Sequence, residues 1–110
     1  MPTIKTSELT GAALEWAVAK CEGEVIVISC TGRPRNTNAE PFNYSTDWSQ
    51  GGPIIEREKI EIIPLCPGTW RAVAMGGDWY NGRTPLEAVM RCYVASKMGE
   101  TIEVPEELTQ

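Results

Sequence analysis

Near the middle of the chain the sequence reads Tyr44-Ser45-Thr46-Asp47-Trp48-Ser49-Gln50-Gly51-Gly52-Pro53. This run contains no aliphatic side chain and separates helix-like from strand-like segments. Its two glycines permit backbone angles that other residues avoid, its proline fixes the direction in which the chain leaves, and its short polar side chains can cap local amides. We therefore predict an ordered polar loop that presents Tyr44 and Trp48 as a functional surface. The alternative is that both rings anchor the core through a long connection.

The length and composition of the chain are those of one globular domain. With 110 residues, of which 42% are apolar and 23% charged, the chain is large enough to bury one core and lies close to the average composition of folded proteins. No apolar run approaches the ~18 residues that a membrane-spanning helix needs, so no membrane partner is expected. We predict a single domain over residues 1–110.

The chain is acidic, with 10 basic and 15 acidic residues and a formal net charge of -5. This balance disfavours the broad basic surface that binds the backbone of DNA or RNA, so duplex nucleic acid is not an expected partner. A small anion remains compatible with it, because a few arginine side chains and the free amides at a helix start can hold a phosphate group.

The cysteines are spaced far apart, and the sequence contains no histidine. Without histidine a mixed zinc site cannot be completed, and we predict neither a metal nor another cofactor. No basic and apolar leader precedes the cysteines, which favours a reduced cytosolic chain with buried thiols over two disulfides. The four positions, none of them in a C-x-x-C pair, are Cys21, Cys30, Cys66 and Cys92.

The absence of histidine also bears on catalysis. It removes the commonest general base near neutral pH, together with Ser-His and Cys-His nucleophile pairs. A hydrolase built on Asp47, Glu56 and Glu58 is an enzymatic alternative, but the spacing of these residues is not that of metal ligands. We predict that the protein is not an enzyme.

A first helix is predicted from its capping signal. Ser7 is a good N-cap, and the apolar pattern then continues to about Cys21. Glu8 and Glu15 fall on the narrow polar stripe of this helix, which we interpret as its solvated face. The other faces are apolar and rich in alanine, so the helix should be largely buried.

A second helix opens with the capping box Thr84-Pro85-Leu86-Glu87 and ends at Gly99. Arg83 stands just before the free amides of its first turn, where both the helix dipole and a guanidinium favour a negative group. This is the best candidate anion site in the sequence. The alternative is that Glu87 already satisfies the cap and that Arg83 is solvated.

The remaining segments read as strands and loops. The β-branched run at 25–28 is typical of a strand covered on both faces, which places it centrally in a sheet. Pro53 suits the start of a short helical turn. Other predicted segments are a short strand at 3–5, a long surface loop at 31–43, a hairpin at 60–64 and 70–74, a final strand at 101–104 and a loose tail at 105–110. Together they predict an α+β fold, a small, mainly antiparallel sheet packed by two α-helices.

These residues together would suit a nucleotide site. The rings of Trp48 and Tyr44 offer flat faces for a base. Arg83 and the helix-start amides offer a place for phosphate, and Asp47 an acceptor for ribose hydroxyls. No G-x-G-x-x-G or G-x-x-x-x-G-K-[ST] motif occurs, so ordinary dinucleotide-binding and P-loop folds are not supported. The predicted ligand-binding residues are Tyr44, Thr46, Asp47, Trp48, Gly51, Gly52, Arg83 and Thr84.

Three segments, 5–23, 44–58 and 84–104, resemble the NinX-like family of small proteins from lambdoid phages. The most specific string is Tyr-Ser-Thr-Asp-Trp-x-Gln-Gly-Gly-Pro-Ile-Ile-Glu, which begins at Tyr44. The variable regions between these segments do not add to the resemblance. The resemblance implies no catalytic residue. It implies an accessory role in the cytoplasm of the infected cell, such as countering bacterial defence.

We therefore expect a phage accessory protein that binds and sequesters a nucleotide-type immune signal of the host, by analogy with other small phage proteins. The alternative is an interaction protein that binds and inhibits a host enzyme through its acidic surface and exposed aromatic residues. A homo-oligomer is also expected, because the first helix has more apolar face than one thin sheet can cover. The alternative is a monomer in which the loop at 31–43 folds over that helix.

Overall fold

Helix α3, Pro85–Met98, lies at the centre of the fold and contacts both other helices. The computed structural model describes residues 2–29 and 32–108 of the chain. Thr84 is the N-cap of α3, and its hydroxyl accepts a hydrogen bond from the Glu87 amide at 3.1 Å. Eight of the 14 residues of α3 are buried, so tertiary packing as well as the cap holds it. The predicted cap by Thr84 and the end before Gly99 are confirmed, but the Glu87 carboxylate accepts from the Arg83 amide and not from the Thr84 amide of a complete capping box.

Three α-helices and seven strands are present in the described part of the chain, and the predicted α+β class is confirmed. The helices are α1 (Gly11–Cys21), α2 (Trp48–Glu58) and α3. The strands are β1 (Thr3–Lys5), β2 (Val27–Ile28), β3 (Pro34–Arg35), β4 (Glu61–Cys66), β5 (Thr69–Val73), β6 (Trp79–Gly82) and β7 (Thr101–Glu103). The strands form three small antiparallel sheets, ordered β1-β7, β2-β3 and β4-β5-β6, in place of one.

The predicted hairpin of β4 and β5 is present, and its register places Ile62 opposite Ala72 and Pro64 opposite Trp70. β6 extends this sheet and packs closely on α3. A Cβ atom at Gly82 would lie 2.5 Å from the backbone nitrogen of Ala88, so only glycine allows this approach. The sheet therefore covers one side of α3 and fixes where the β6–α3 connection lies.

The two ends of the described chain meet in the β1-β7 pair, as the two predicted short strands allow. Ile4 lies opposite Ile102, and the hydroxyl of the buried Thr6 donates to the Gly99 carbonyl at 3.1 Å. Beyond β7, Glu106–Leu108 forms a 3₁₀ turn, and Leu108 is buried in the core. The sequence predicted a loose tail at 105–110, of which residues 109 and 110 lie outside the described part of the chain.

The prediction of a central strand at 25–28 is wrong. Only Val27–Ile28 is a strand, and it pairs with β3 alone. Val25 and Val27 are 66% and 50% exposed, whereas Ile26 and Ile28 pack against the core. The run therefore has one buried face, because no element covers its outer side in the described residues. A continuous β-branched run cannot distinguish this case from a strand covered on both faces.

The predicted start of the first helix at Ser7 is also wrong. Thr6–Glu8 forms a 3₁₀ turn, and α1 begins at Gly11 with Thr10 as the N-cap. Between them Leu9 is extended and only 1% exposed, so burying this side chain interrupts the helical backbone. Gly11 has φ of +58°, a left-handed conformation that glycine adopts without steric cost.

The run at 44–53, predicted to be a loop, contains the first six of the 11 residues of helix α2. Asp47 is the N-cap, and its carboxylate accepts from the Ser49 amide at 2.9 Å. Gly51 lies in this helix at the point where α2 packs closely on the preceding turn, which leaves no room for a side chain. A Cβ atom there would lie 2.5 Å from the Tyr44 carbonyl oxygen and 2.8 Å from a Leu86 methyl group. The two glycines and Pro53 concealed the helix in the sequence, because they are the weakest helix formers.

None of the described helices is long and apolar enough to cross a membrane. Three of the cysteines lie in described segments, and all three are free thiols. Cys92 is buried and Cys21 partly so, and burial raises the pKa of each thiol to about 11. Cys66 is exposed, against the prediction of buried thiols, because it lies at the β4–β5 turn. Cys30 lies outside the described residues.

The packing of α2 predicts opposite behaviour for its neighbouring glycines. Gly51→Ala should lower the free energy of unfolding by about 1–3 kcal/mol, because its methyl group meets backbone and a buried side chain. Gly52→Ala, with no atom within 4 Å, should change it by less than about 1 kcal/mol. There the gain in helix propensity is opposed by the unfavourable helical conformation of a residue before proline. Urea unfolding of both variants measures the difference, and equal effects would contradict this packing.

Candidate functional site

A cavity of about 490 Å³ lies where the start of α1, the turn before α2 and the β6–α3 connection meet. Residues 10–12 and Glu15 form one wall. Residues 43, 45 and 46 form a second wall, and residues 83, 84 and 87 a third. Arg33, from the segment between β2 and β3, completes the lining. Four segments that are far apart in sequence therefore contribute to one concave surface.

Glu87 holds the start of α1 against the start of α3. Its carboxylate accepts from the Thr10 hydroxyl at 2.9 Å and from the Arg83 amide at 3.0 Å. The guanidinium groups of Arg83 and Arg91 lie 3.4 and 3.5 Å from it. Burial acts to raise the pKa of Glu87, but the hydrogen bonds from Arg83 and Thr10 outweigh it and hold the pKa below its ordinary value. Glu87 therefore lines the cavity as an ionised carboxylate whose charge is compensated by two arginine side chains.

Glu15 holds the turn before α2 in the same way. It is only 4% exposed, and its carboxylate accepts from the Ser45 amide at 3.0 Å and the Ser45 hydroxyl at 2.8 Å. Burial raises the pKa of Glu15, and the bonds to Ser45 and the charge of Arg33 offset this only in part. The prediction of a solvated face is therefore wrong for this residue. The turn at 43–46 folds over the helix stripe that the sequence left polar.

The start of α1 offers hydrogen-bond donors to the cavity. The first amides of a helix have no partner within the helix, and the Thr10 side chain makes no capping bond to them. Its hydroxyl is used instead on Glu87. Gly11 and Ala12 line the cavity together with the arginine residues Arg33 and Arg83. Both arginines are exposed, and the side chain of Arg83 is 76% accessible.

A second cavity of about 360 Å³ adjoins the first and shares Ser45, Thr46 and Thr84 with it. Its other lining residues are Trp48, Pro85 and Leu86. Trp48 is 55% exposed, although indole rings are usually well buried, and it stands at the first position of α2. The two cavities therefore form one depression with a polar half and an aromatic half.

The structure brings together half of the predicted ligand-binding residues. Thr46, Arg83 and Thr84 line the polar cavity, and Trp48 lines the aromatic one. Four predicted residues line neither cavity, namely Tyr44, Asp47, Gly51 and Gly52.

The reasons differ among these four. Tyr44 is buried and stacks on Phe42, with ring centroids 5.7 Å apart, so for this ring the alternative of a core anchor holds. Burial raises the pKa of its phenol to about 12. Asp47 caps α2, and its hydrogen bonds from Ser49 lower its pKa. Gly51 is a packing position within the helix, and Gly52 is a residue of α2 with no atom within 4 Å of a Cβ placed on it.

Several cavity residues were missed from the sequence. Glu87 had been assigned to the cap, and that signal could have placed it at the site. Glu15 and Ser45 are 30 residues apart and carry no motif, so only their contact in space joins them. Arg33 lies in the segment predicted to be a surface loop at 31–43, and the fold brings it to Glu15.

The geometry gives no support to the hydrolase alternative. Asp47 is the N-cap of α2 and Glu58 its last residue, which places them roughly 16 Å apart along the helix at about 1.5 Å per residue. Glu58 is paired instead with Arg57 at 2.9 Å and Lys97 at 3.6 Å. Within 2–29 and 32–108 no three histidine, cysteine, aspartate or glutamate side chains gather as a metal site would require.

Residues 5–97 match the model of the protein family described as Bacteriophage P22, NinX. The chain belongs to this family. The match confirms the resemblance seen in three segments, and it also spans the regions between them that carried no resemblance. A search of curated proteins found no match to the chain.

The surroundings of Glu15 predict how stability depends on pH. Because folding raises the pKa of this carboxyl, its stabilising contribution is complete below the ordinary value of 4.5 and is lost as the pH rises through the raised pKa. Glu15→Gln keeps an acceptor for the Ser45 amide and carries no charge. The free energy of unfolding of this variant, relative to the wild type, should therefore increase as the pH rises from about 4 to about 7.

Urea unfolding across this pH range measures the difference. Glu61→Gln, at an exposed position of β4, controls for the loss of one charge. A difference that is independent of pH, or that grows towards acid, would contradict a desolvated Glu15.

Proposed function

We propose that this protein binds a small anionic ligand of nucleotide type in the cavity between α1, α2 and α3 and sequesters it. The observation that carries the proposal is the presence of Arg33, Arg83 and the first amides of α1 around one cavity. Guanidinium groups and helix-start amides are donors that proteins commonly use to bind phosphate. The volume of about 490 Å³ lies within the range of small-molecule sites.

The aromatic half of the depression supports the choice of a nucleotide over a simple anion. A ligand whose phosphate lies between the arginines can extend past Thr46 and Thr84 to reach the exposed ring of Trp48. Stacking on such a ring is favourable for every base, because each has a flat π face. The shared polar residues between the halves offer partners for sugar hydroxyls.

We propose binding without turnover. The titratable side chains that line the polar cavity, within the described ranges, are two arginines and two glutamates. Glu87 is held ionised by its partners, which suits a structural role better than proton transfer. Because the chain belongs to a family of phage proteins, we propose that its biological role is to sequester a host immune signal in the cytoplasm of the infected cell.

A homo-oligomer stays a prediction, but the apolar surface of α1 no longer supports it. The apolar faces of α1 are covered within a single chain, since its residues from Ala13 to Ala19 are all buried. β3 contacts α1, and the following Phe42 and Tyr44 join the same core cluster. This is the arrangement that the monomer alternative described. Light scattering decides the question, and a mass near 12.1 kDa would show a monomer.

Removing either cavity arginine should weaken ligand binding. We expect Arg33→Ala and Arg83→Ala each to reduce the affinity for the best-bound nucleotide by about tenfold or more, because each removes a charge-assisted hydrogen bond to phosphate. The ligand is first found by a melting-shift screen of cyclic and ADP-ribose-type nucleotides and then titrated by calorimetry. Lys20→Ala removes an exposed cation at the end of α1 and should leave the affinity unchanged. Failure of every nucleotide to bind would refute the proposed function.

Exposed apolar side chains favour a second candidate function, the binding and inhibition of a host enzyme. Trp48, Met75 and Trp79 are 55%, 77% and 53% exposed, and aromatic residues and methionine are enriched in interfaces. Affinity purification from infected cells separates the two functions. A stoichiometric host protein whose capture is lost in Trp48→Ala would favour the second function. A nucleotide released from the heat-denatured protein would favour the first.

A further inference from the structure

We propose that the cavity selects singly charged phosphodiesters over phosphomonoesters, and that Glu15 is the residue that sets this preference. The inference rests on the proposed function, and it names the ligand class within it. The ligands that it favours are nucleotides in which each phosphate is esterified twice, such as cyclic nucleotides and linear diesters. The ligands that it disfavours end in a free phosphate, which carries close to two negative charges at neutral pH.

The first reason is the balance of charge around the cavity. The lining holds two cations, Arg33 and Arg83, and two carboxylates, Glu15 and Glu87. Arg91 adds a further cation on Glu87, at 3.5 Å. One added negative charge can be matched when an arginine turns towards it. A second added charge has no free cation among the described lining residues and would face a carboxylate.

The second reason is that Glu15 cannot withdraw from an incoming ligand. Its two oxygens are held by the amide and the hydroxyl of Ser45, and the residue is 4% exposed. Water therefore screens its charge poorly, and repulsion at close range is stronger than at the protein surface. A group fixed in this way acts against the more highly charged of two otherwise equal ligands.

The third reason is that the nearest cation to Glu15 is also a candidate ligand contact. Arg33 comes from the β2–β3 segment and stabilises the charge of Glu15. Arg83, from the β6–α3 connection, and Glu87, from the first turn of α3, line the cavity, whereas the neutral phenol of Tyr44 does not. When Arg33 pairs with phosphate, Glu15 loses part of its compensation, and the cost grows with each further negative charge. The net charge of the chain, -5, acts in the same direction.

Two nucleotides that differ only in the ester provide the test. Cyclic AMP is a phosphodiester and AMP a phosphomonoester, with the same base and sugar. In calorimetric titrations at about pH 7.5, we expect cyclic AMP to bind the wild type about tenfold more tightly or better. Glu15→Gln should gain affinity for AMP and reduce the difference to less than about threefold. Glu61→Gln, which removes an exposed charge from β4, should keep the wild-type difference.

A second arm uses the wild type alone and does not depend on the folding of a variant. At about pH 5.5 most AMP carries one negative charge, because its second pKa is about 6, and the difference in affinity should narrow. Equal affinities at both pH values, or an unchanged difference in Glu15→Gln, would overturn the inference and leave the proposed function standing. Absence of binding by both nucleotides, in the wild type and in both variants, would overturn the inference, whereas the proposed function fails only if every nucleotide of the melting-shift screen also fails to bind.

Discussion

The carboxylate of Glu87 is the contact on which the arrangement of α1 and α3 depends. It accepts bonds from Thr10 and Arg83, and it lies beside Arg91, whose guanidinium also donates to the carbonyls of Leu9 at 2.6 Å and Asn81 at 2.9 Å. One buried acid and one largely buried arginine thus satisfy the polar groups of three segments. Without Glu87, these groups would be left without compensation in a poorly solvated place, which is costly.

The same principle acts at the other wall of the cavity. Glu15 fixes the turn before α2 through Ser45, and that turn places Trp48 at the beginning of the helix. The cavity is therefore a consequence of packing, since the residues that hold its walls are also its polar lining. This explains why the site mixes cations and anions, and why its selectivity should depend on the number of charges that a ligand brings.

A third polar cluster holds the opposite end of the helices. Arg57 of α2 donates to the Glu22 carboxylate at 2.6 Å, and its guanidinium lies 5.6 Å from the ring centroid of Tyr93 in α3. The Tyr93 hydroxyl also donates to Glu22, and Arg57 is the main cause of the lowered pKa of that carboxyl. The cluster around Glu22 thus connects the three helices at one end, and the contacts of Glu15 and Glu87 connect them at the other. The cavity lies at this second end, where the exposed Arg33 completes its lining.

Local signals in the sequence were enough to predict several elements of the fold. These elements are the Thr84 cap, the β4–β5 hairpin and the β1 and β7 strands, because capping, turn chemistry and alternation act over a few residues. The α+β class follows from these elements, and the family was predicted from the wording of three segments. The other features depend on packing between segments that are distant in sequence. Whether a β-branched run has one covered face or two, whether glycines lie in a helix or a loop, and whether Glu15 is solvated depend on what packs against them. Thr46, Trp48, Arg83 and Thr84 came together because they lie at or just before the starts of α2 and α3, and these two helices pack against each other. Glu15, Ser45 and Arg33 could not be joined in advance, because only the folded chain places them within reach of one another.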